Sequence, residues 1–555
     1  PNGPRYQRER IGRIRRFATY CVGVAVDAAS RRAGTAAAAA PTPLLFPGTA
    51  KAPDSRPPPL FPGTTTCRPQ PPTIPCGHAA KRFGFFDKPA GRQYLAAFVA
   101  SLSVMMAGTS MGWPSPVLAK LASGQLTMET TNEQESWMIA FLELGNLVSP
   151  LPVGILVDTV GRKPCLLMCG PLYIISWLMV LVGRSITALY WVRLLQGACI
   201  GVITTVVPIY ISEIAGDNIR GALSTFFNGM LNAGILYVYC IGPLVSYEYL
   251  TYYSILIPVV FLATCMWIPE SPYYYVLRGD DKKAHEALAW LQGDVEPDMV
   301  AKELLHIKGE ANKQLKNKGT VTDLFGSGVS RKAFLIVQIV ALADVLSGMT
   351  TVLAYASSTF AHADTVDSLS PDQFTMLLGV LIFLTTFVTG YLVDKLGRRP
   401  LLLFSCFGCG TFELITGLYY YKSWGSMDSL GAWIPFTAIG SFAVIYSIGL
   451  GPLVPTLQGE MFPSNVRGLA SAITSITLTV ISFVGLKTYQ LVTDKWGIHV
   501  NYFMYGSGCL VTFVLIYLFL PETKGKTFVE IQDEISNIKR PPNRRITTGP
   551  DASRV

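Results

Sequence analysis

The sequence predicts an all-α membrane protein, with twelve transmembrane helices in two six-helix halves and a cytoplasmic helical loop between helices 6 and 7. Three observations predict it. The 555 residues are 50% hydrophobic and only 15% charged, with a mean hydropathy of +0.38, whereas a soluble globular chain carries about 25% charge. The apolar residues come in runs of about 20, the length a helix needs to cross hydrocarbon. Charged motifs between the early runs return in the same order six runs later. The composition argues against a water-facing enzyme of this size.

The net charge of +9 does not signal a nucleic-acid partner, because of where it sits. Residues 1–92 hold 15 basic and 4 acidic side chains, a balance of +11, and the remaining chain balances to −2. Residues 1–90 are Arg-rich, then Ala-rich, then Pro-rich, and Leu45-Phe-Pro-Gly-Thr49 nearly repeats at Leu60-Phe-Pro-Gly-Thr64. Such a stretch buries too little apolar surface to offset its ordering entropy and reads as a disordered cytoplasmic arm.

The twelve runs follow at 94–114, 136–157, 165–183, 187–208, 222–245, 250–268, 333–360, 373–393, 400–421, 432–457, 468–492 and 501–520. Six make an N-terminal half over 91–268 and six a C-terminal half over 333–535, with 536–555 a flexible tail. Between the halves, 269–332 alternates charge at helical spacing, as from Lys282 to Ala301, and reads as short amphipathic surface helices. Short loops on one side carry Arg162, Lys163, Arg220, Lys395, Arg398, Arg399 and Arg467, while the other side carries Glu129, Glu133, Glu248 and Asp372. The positive-inside rule makes the first side cytoplasmic, with both termini and the long loop, and a plasma-membrane location fits.

The repeat is specific. Asp158-Thr-Val-Gly-Arg-Lys-Pro164 returns as Asp394-Lys-Leu-Gly-Arg-Arg-Pro400, 236 residues later. Glu213 precedes Arg220 by seven residues, as Glu460 precedes Arg467, and Pro269-Glu-Ser closes run six as Pro521-Glu-Thr closes run twelve. Two parallel six-helix repeats place a solute site at their interface. Alternating access needs the inner ends of the halves held together and yet released, and Arg, with its bidentate fork and permanent charge, suits such a latch. Arg162, Lys163 and Arg220 are expected to pair with Asp158 and Glu213. Arg398, Arg399 and Arg467 are expected to pair with Asp394 and Glu460. Gly161 and Gly397 read as tight-turn residues.

These motifs, with Pro208-Ile-Tyr-Ile-Ser-Glu213 and Arg193-Leu-Leu-Gln-Gly197, resemble the sugar porters of the major facilitator superfamily. Ala107-Gly-Thr109 and Gly112-Trp113, running into Ser115-Pro116, resemble most the insect facilitated trehalose and hexose transporter branch. The resemblance covers residues 94–535 and implies the same inner latch and a sugar cargo. It also implies that an Asp facing Arg193 in proton-coupled members is here Thr109, which argues for a uniporter. Of the family's sugar-contacting residues, two adjacent Gln of run seven correspond to Asp344 and Val345. The following Ser-Gly survives as Ser347-Gly348, an Asn becomes Thr350, and a Gln of run five becomes Asn228. An Asn of run eight corresponds to Ile382, a Trp of run eleven to Thr479, and the Pro-Trp of run ten to Val454-Pro455.

An ionisable group within the bilayer is a functional candidate by default. Glu143 and Arg193 lie at similar depth and are expected to neutralise each other. Asp344 shares a helical face with Ser347, Gly348, Thr351 and Tyr355, a polar stripe that faces either a water-filled cavity or a small-residue packing seam. The stripe gives Asp344, Ser347, Thr351 and Tyr355 as expected solute contacts, and the resemblance adds Asn228 and Thr350. Lys487 is expected to snorkel at the end of run eleven, and Glu413 sits mid-run in nine without an evident role.

Cys406-Phe-Gly-Cys409 lies inside a run and lacks a second ligand pair, so no metal is expected, and no cofactor motif occurs. The expected partners are a small solute, a sugar foremost, and the lipid bilayer. The expected activity is facilitated diffusion by alternating access, without enzymatic chemistry. Two other readings stay open: a cation- or proton-linked carrier of another organic solute, and a non-transporting sensor.

Overall fold

A segment with no water around it must satisfy its own backbone polar groups, and a helix does so within itself. In the computed structural model, which describes residues 89–126, 128–183, 185–216, 219–293, 297–316, 320–361, 370–423, 433–526 and 528–537, every apolar run is helical. No strand occurs among the described residues, all of which belong to one compact unit. The expected arm over 1–90, apart from its last two residues, lies outside them. So does the tail beyond Asn537.

The first half comprises α1 (Pro89–Gly112) and α2 (Pro114–Ala122) as span one, α3 (Asn132–Val148) and α4 (Pro150–Val160) as span two, then α5 (Arg162–Val182), α6 (Ile186–Ile214), α7 (Arg220–Ile241) and α8 (Tyr247–Cys265). The polar linker forms α9 (Pro272–Leu277), α10 (Asp281–Gln292), α11 (Pro297–Lys316) and α12 (Val321–Gly326). Span seven comprises α13 (Gly328–Leu346), α14 (Met349–Ala354) and α15 (Ala356–Ala361), followed by α16 (Pro371–Leu396) and α17 (Arg398–Ser423). Span ten is α18 (Trp433–Ile448) with α19 (Leu450–Met461), and α20 (Ser464–Trp496), α21 (Ile498–Phe519) and α22 (Phe528–Asn537) complete the chain. Among the described residues ten helices are long and apolar enough to cross a membrane, eleven with the bent α3–α4 pair. The 22-residue α7 fills the fifth place.

Local chemistry explains the helix starts and breaks. Thr131 with Gln134 and Ser370 with Gln373 form capping boxes at the start of α3 and α16, which open the second span of each half. Pro150 follows Val148 closely, and span two bends by 55° there. Span seven is not one continuous helix. Gly348 adopts φ +72°, and a Cβ there would stand 2.5 Å from the Tyr505 ring, so the break needs glycine twice over. The expected polar stripe along span seven is therefore interrupted after Ser347, and residues beyond the break do not continue the face of Asp344.

The first and last described helices meet the linker and the start of span seven on one side of the bundle, here the near side: Arg92 donates to the Trp290 carbonyl and Lys332 to that of Ile535. Side-chain hydrogen bonds between described residues of the two halves run from mid-depth to the far side. On α3 and α20 they form an antiparallel series. Asn132 donates to Asp494 at 3.2 Å, Lys487 to Ser136 at 2.9 Å, Ser482 to Glu143 at 3.2 Å, and Asn146 to Thr479 at 3.4 Å. Ser115 and Ser357 share a bond at 2.9 Å, the Tyr239 hydroxyl donates to the Leu353 carbonyl at 2.6 Å, and Asn232 donates to Thr386 at 2.9 Å. These contacts shut the far side. Lys487 does not snorkel, because α3 offers it partners within the bundle.

Gly348→Ala adds a left-handed backbone penalty of about 1–2 kcal/mol to the ring clash. The purified variant is expected to melt several degrees below the parent in detergent; an unchanged Tm would show that the break is not required.

Candidate functional site

Each near-side charge cluster begins with a carboxylate that caps a helix. Four N–H groups at a helix N-terminus lack internal partners, and a carboxylate there gains from both hydrogen bonds and dipole. Glu270 accepts from the backbone N–H groups of Arg162 and Lys163 at 3.2 and 3.1 Å, at the start of α5. Glu522 accepts from those of Arg398 and Arg399 at 3.0 and 3.1 Å, at the start of α17. The glycine before each start has positive φ, 109° at Gly161 and 92° at Gly397, and a Cβ would meet the capping carboxylate at 2.4 and 3.1 Å. The two caps differ in environment. Burial pushes the Glu270 carboxyl above its usual range, whereas at half-buried Glu522 burial also acts upward but the backbone donors outweigh it, and the carboxyl sits low.

The arginines then reach a second carboxylate. Arg162 is 4% exposed and donates to Glu213 through Nε at 2.9 Å and Nη2 at 2.7 Å, with Nη1 on the Val157 carbonyl. Arg398 donates to Glu460 at 3.0 Å and to the Val393 carbonyl, and Thr523 completes Glu460 at 2.6 Å. Asp158 lies 4.0 Å from Arg162 and is largely exposed. The other expected latch cations have different partners. Lys163 donates to the Met266 carbonyl, Arg399 to the Tyr517 carbonyl at 2.8 Å, and Arg467 to the Phe462 carbonyl at 3.2 Å. Met266 and Phe462 follow the last turns of α8 and α19, and Tyr517 lies in the last turn of α21, where cations suit exposed carbonyls. Among the described side chains none of the three meets Asp158, Glu213 or Glu460, and the two ion pairs each lie within one half and do not join the halves. The side chains of Arg220 and Asp394 lie outside those described.

Glu143 and Arg193 do not meet. Gly145 brings α3 into backbone contact with α6, since a Cβ there would fall 2.1 Å from the Leu194 carbonyl oxygen. A residue two positions earlier stands about 200° round the helix, so Glu143 points away from α6 toward α20. Its oxygens accept from Asn146 at 3.3 Å and Ser482 at 3.2 Å. Arg193, fully buried, donates to the Ser110 carbonyl at 2.6 Å and to Gln196 at 3.3 Å, and lies 4.6 Å from the Trp113 ring centre. Its Nε and Nη2 have no hydrogen-bond partner among the described residues. Thr109 bonds its own helix at the Met106 carbonyl.

The expected solute contacts separate into two groups. Asp344, just before the break in span seven, accepts from the Tyr446 hydroxyl at 2.7 Å, and half-buried Asn228 lies on α7. Thr350 lines a small cavity with Glu143, Met111 and Leu486 between the halves. Three others turn inward. Ser347 donates to the Asp344 carbonyl, Thr351 is buried, and the Tyr355 ring lies 4.5 Å from that of Tyr489, its hydroxyl without a hydrogen-bond partner among the described residues. Sequence reasoning missed Tyr446, and it missed Gln338, which donates to Thr474 at 2.8 Å from the same span as Asp344. It also missed the capping role of Glu270 and Glu522, although the repeated Pro-Glu-Ser/Thr was its signal. Glu413 is buried in α17, and neither of its oxygens has a hydrogen-bond partner among the described residues.

Removing one partner of a buried ion pair costs about 3–5 kcal/mol because the other charge is stranded. Arg162→Ala is therefore expected to lower Tm more than Arg398→Ala, whose side chain is 17% exposed. Equal losses in a thermal-shift assay would contradict this ranking.

A family model described as "Sugar (and other) transporter" matches residues 95–535. A facilitated trehalose transporter of Culex quinquefasciatus is 31% identical over 79% of this chain and 85% of its own length. A facilitated trehalose transporter homolog of Drosophila simulans is 30% identical over 79% and 90%. Among solved structures, a major facilitator superfamily proton:xylose symporter bound to 6-bromo-6-deoxy-D-glucose superposes with a TM-score of 0.66 at 20% identity, over 80% of this chain and 99% of that one. An inward-open form of the xylose transporter from E. coli gives 0.66 over 79% and 98%.

Proposed function

The chain belongs to the sugar (and other) transporter family, and we propose that it carries trehalose or a hexose down its gradient, by facilitated diffusion through alternating access. It is a multi-pass membrane protein and a sugar transporter. The proposal adds the cargo, the mode and a plasma-membrane setting, with the near side and both termini in the cytoplasm. The trehalose transporters it resembles support the cargo. Arg193 supports the mode: it is held by a carbonyl, an amide and an indole ring, with no carboxylate in contact among the described residues to take up a proton during transport. In this reading the solute sits at mid-depth between Asp344 with Tyr446 on one half and Asn228 on the other, as expected of an inter-repeat site. The Arg162–Glu213 and Arg398–Glu460 pairs keep the near ends of each half rigid while the halves rock.

Asp344 favours a second reading, a cation- or proton-linked carrier, because its carboxylate is met only by one neutral hydroxyl among the described contacts. Uptake in proteoliposomes separates the two. A sugar uniporter takes up labelled trehalose or glucose to equilibrium and is nearly indifferent to pH gradient and potential. A carrier moving one charge responds with about 2.3 kcal/mol per 100 mV. Accumulation above equilibrium on an imposed proton gradient would overturn the uniport proposal. Asp344→Asn is expected to change apparent KM or cargo choice by about tenfold, the scale of one charged hydrogen bond, with surface expression unchanged. Parent-like selectivity and KM in that variant would remove Asp344 from the site.

A further inference from the structure

The seam between α3 and α20 contains one cation, and its setting differs from that of the polar bonds around it. Lys487 Nζ lies 2.9 Å from Ser136 Oγ, 4.4 Å from the centre of the Trp137 ring and 3.9 Å from Glu133. The ring is held from below by Phe483, one turn earlier on the same helix as Lys487, at 6.2 Å between centroids. Trp137 of one half is therefore clasped between two side chains of the other. The Lys487 side chain is 14% exposed, whereas Glu133 is 70% exposed. An ammonium over an indole face gains most when partly desolvated, while an exposed ion pair contributes little. The ring and the hydroxyl, rather than Glu133, hold the cation.

The position of this contact gives it a role. Polar bonds between α3 and α20 end at Asn146 and Thr479, and span two bends by 55° immediately beyond, at the junction of α3 and α4. The straight upper part of span two is joined to α20, and the part beyond the bend leaves that line. For the far side to open, every bond in the series must break. Asn132, Asp494, Ser482 and Asn146 exchange their bonds for water at little net change. Lys487 alone must leave an aromatic face that water does not replace. We propose that Lys487 is the bolt of the far-side gate, its ammonium seated on Trp137 and Ser136 when that side is shut and released to water when it opens. Lys487 is a positioning residue, since it acts on the halves and not on the solute. The inference concerns the gate and stands whichever solute is carried.

The test measures distances in the full chain, in detergent and in proteoliposomes, without solute. Paired spin labels at Glu129 and Lys495, both exposed at the far side, report the separation of the halves. Lys487→Met keeps the stem and removes the charge. It is expected to shift the shut-to-open ratio toward open by roughly three- to tenfold, a range set by typical cation–π strengths. Trp137→Leu is expected to produce the same shift, and Lys487→Arg, which also stacks on rings, to retain the parent ratio. Glu133→Gln is expected to leave it unchanged. A parent-like distribution in both Lys487→Met and Trp137→Leu overturns the proposal, as does a shift in Glu133→Gln equal to that of Lys487→Met. Should Lys487→Met not fold, Trp137→Leu and Glu133→Gln decide it by the same criteria.

Discussion

Glu270 and Glu522 each do one job, and much of the structure depends on it. A helix entering a membrane leaves backbone N–H groups exposed at its start, and hydrocarbon cannot satisfy them. Each carboxylate comes from the end of its half, reaches the beginning of that half's third helix, and accepts two of those groups. The same turn fixes an arginine whose guanidinium closes on Glu213 or Glu460. Three distant stretches of chain are thereby tied at one point in each half. A half built this way moves as a unit, which a rocking mechanism requires.

The contacts between the halves have the opposite character. Apart from the seat of Lys487 on Trp137, the side-chain hydrogen bonds among them are individually weak in net terms because water replaces them readily. They seal the far side without committing the molecule to it. The breaks in spans two and seven lie beside this seam. Gly348 interrupts span seven next to Asp344, and the bend near Pro150 ends the alignment of span two with α20. Unwound or bent helices at mid-depth expose polar backbone and side chains where a solute passes, and they are tolerated there because they line an interface rather than lipid.

Charge inside the bundle follows the same division. Arg193 is buried among a carbonyl, an amide and an indole, an arrangement that holds a permanent cation without a titrating partner. Asp344 and Glu143 are met by neutral donors of spans ten and eleven and of span two. Glu143 thus touches an element that changes position when the halves rock, whereas Asp344 and Arg193 are held within their own halves.

The sequence by itself determined the helices, their number, the two halves and the location of the near-side clusters. Apolar run length and motif spacing are properties of the chain in one dimension, and a doubled motif marks a doubled fold. Tertiary structure decided which charge faces which. Glu143 and Arg193 stand at matching depth in the text, yet backbone contact at Gly145 rotates Glu143 toward the other half. Lys487 reads as a snorkelling residue until Trp137 is found beside it. Tyr446 carries no motif, and the stripe after Asp344 ends because Gly348 takes a left-handed turn under Tyr505. Depth along a helix is written in residue number, but rotation about its axis is set by the close contacts of its neighbours, and those exist only once the bundle is assembled.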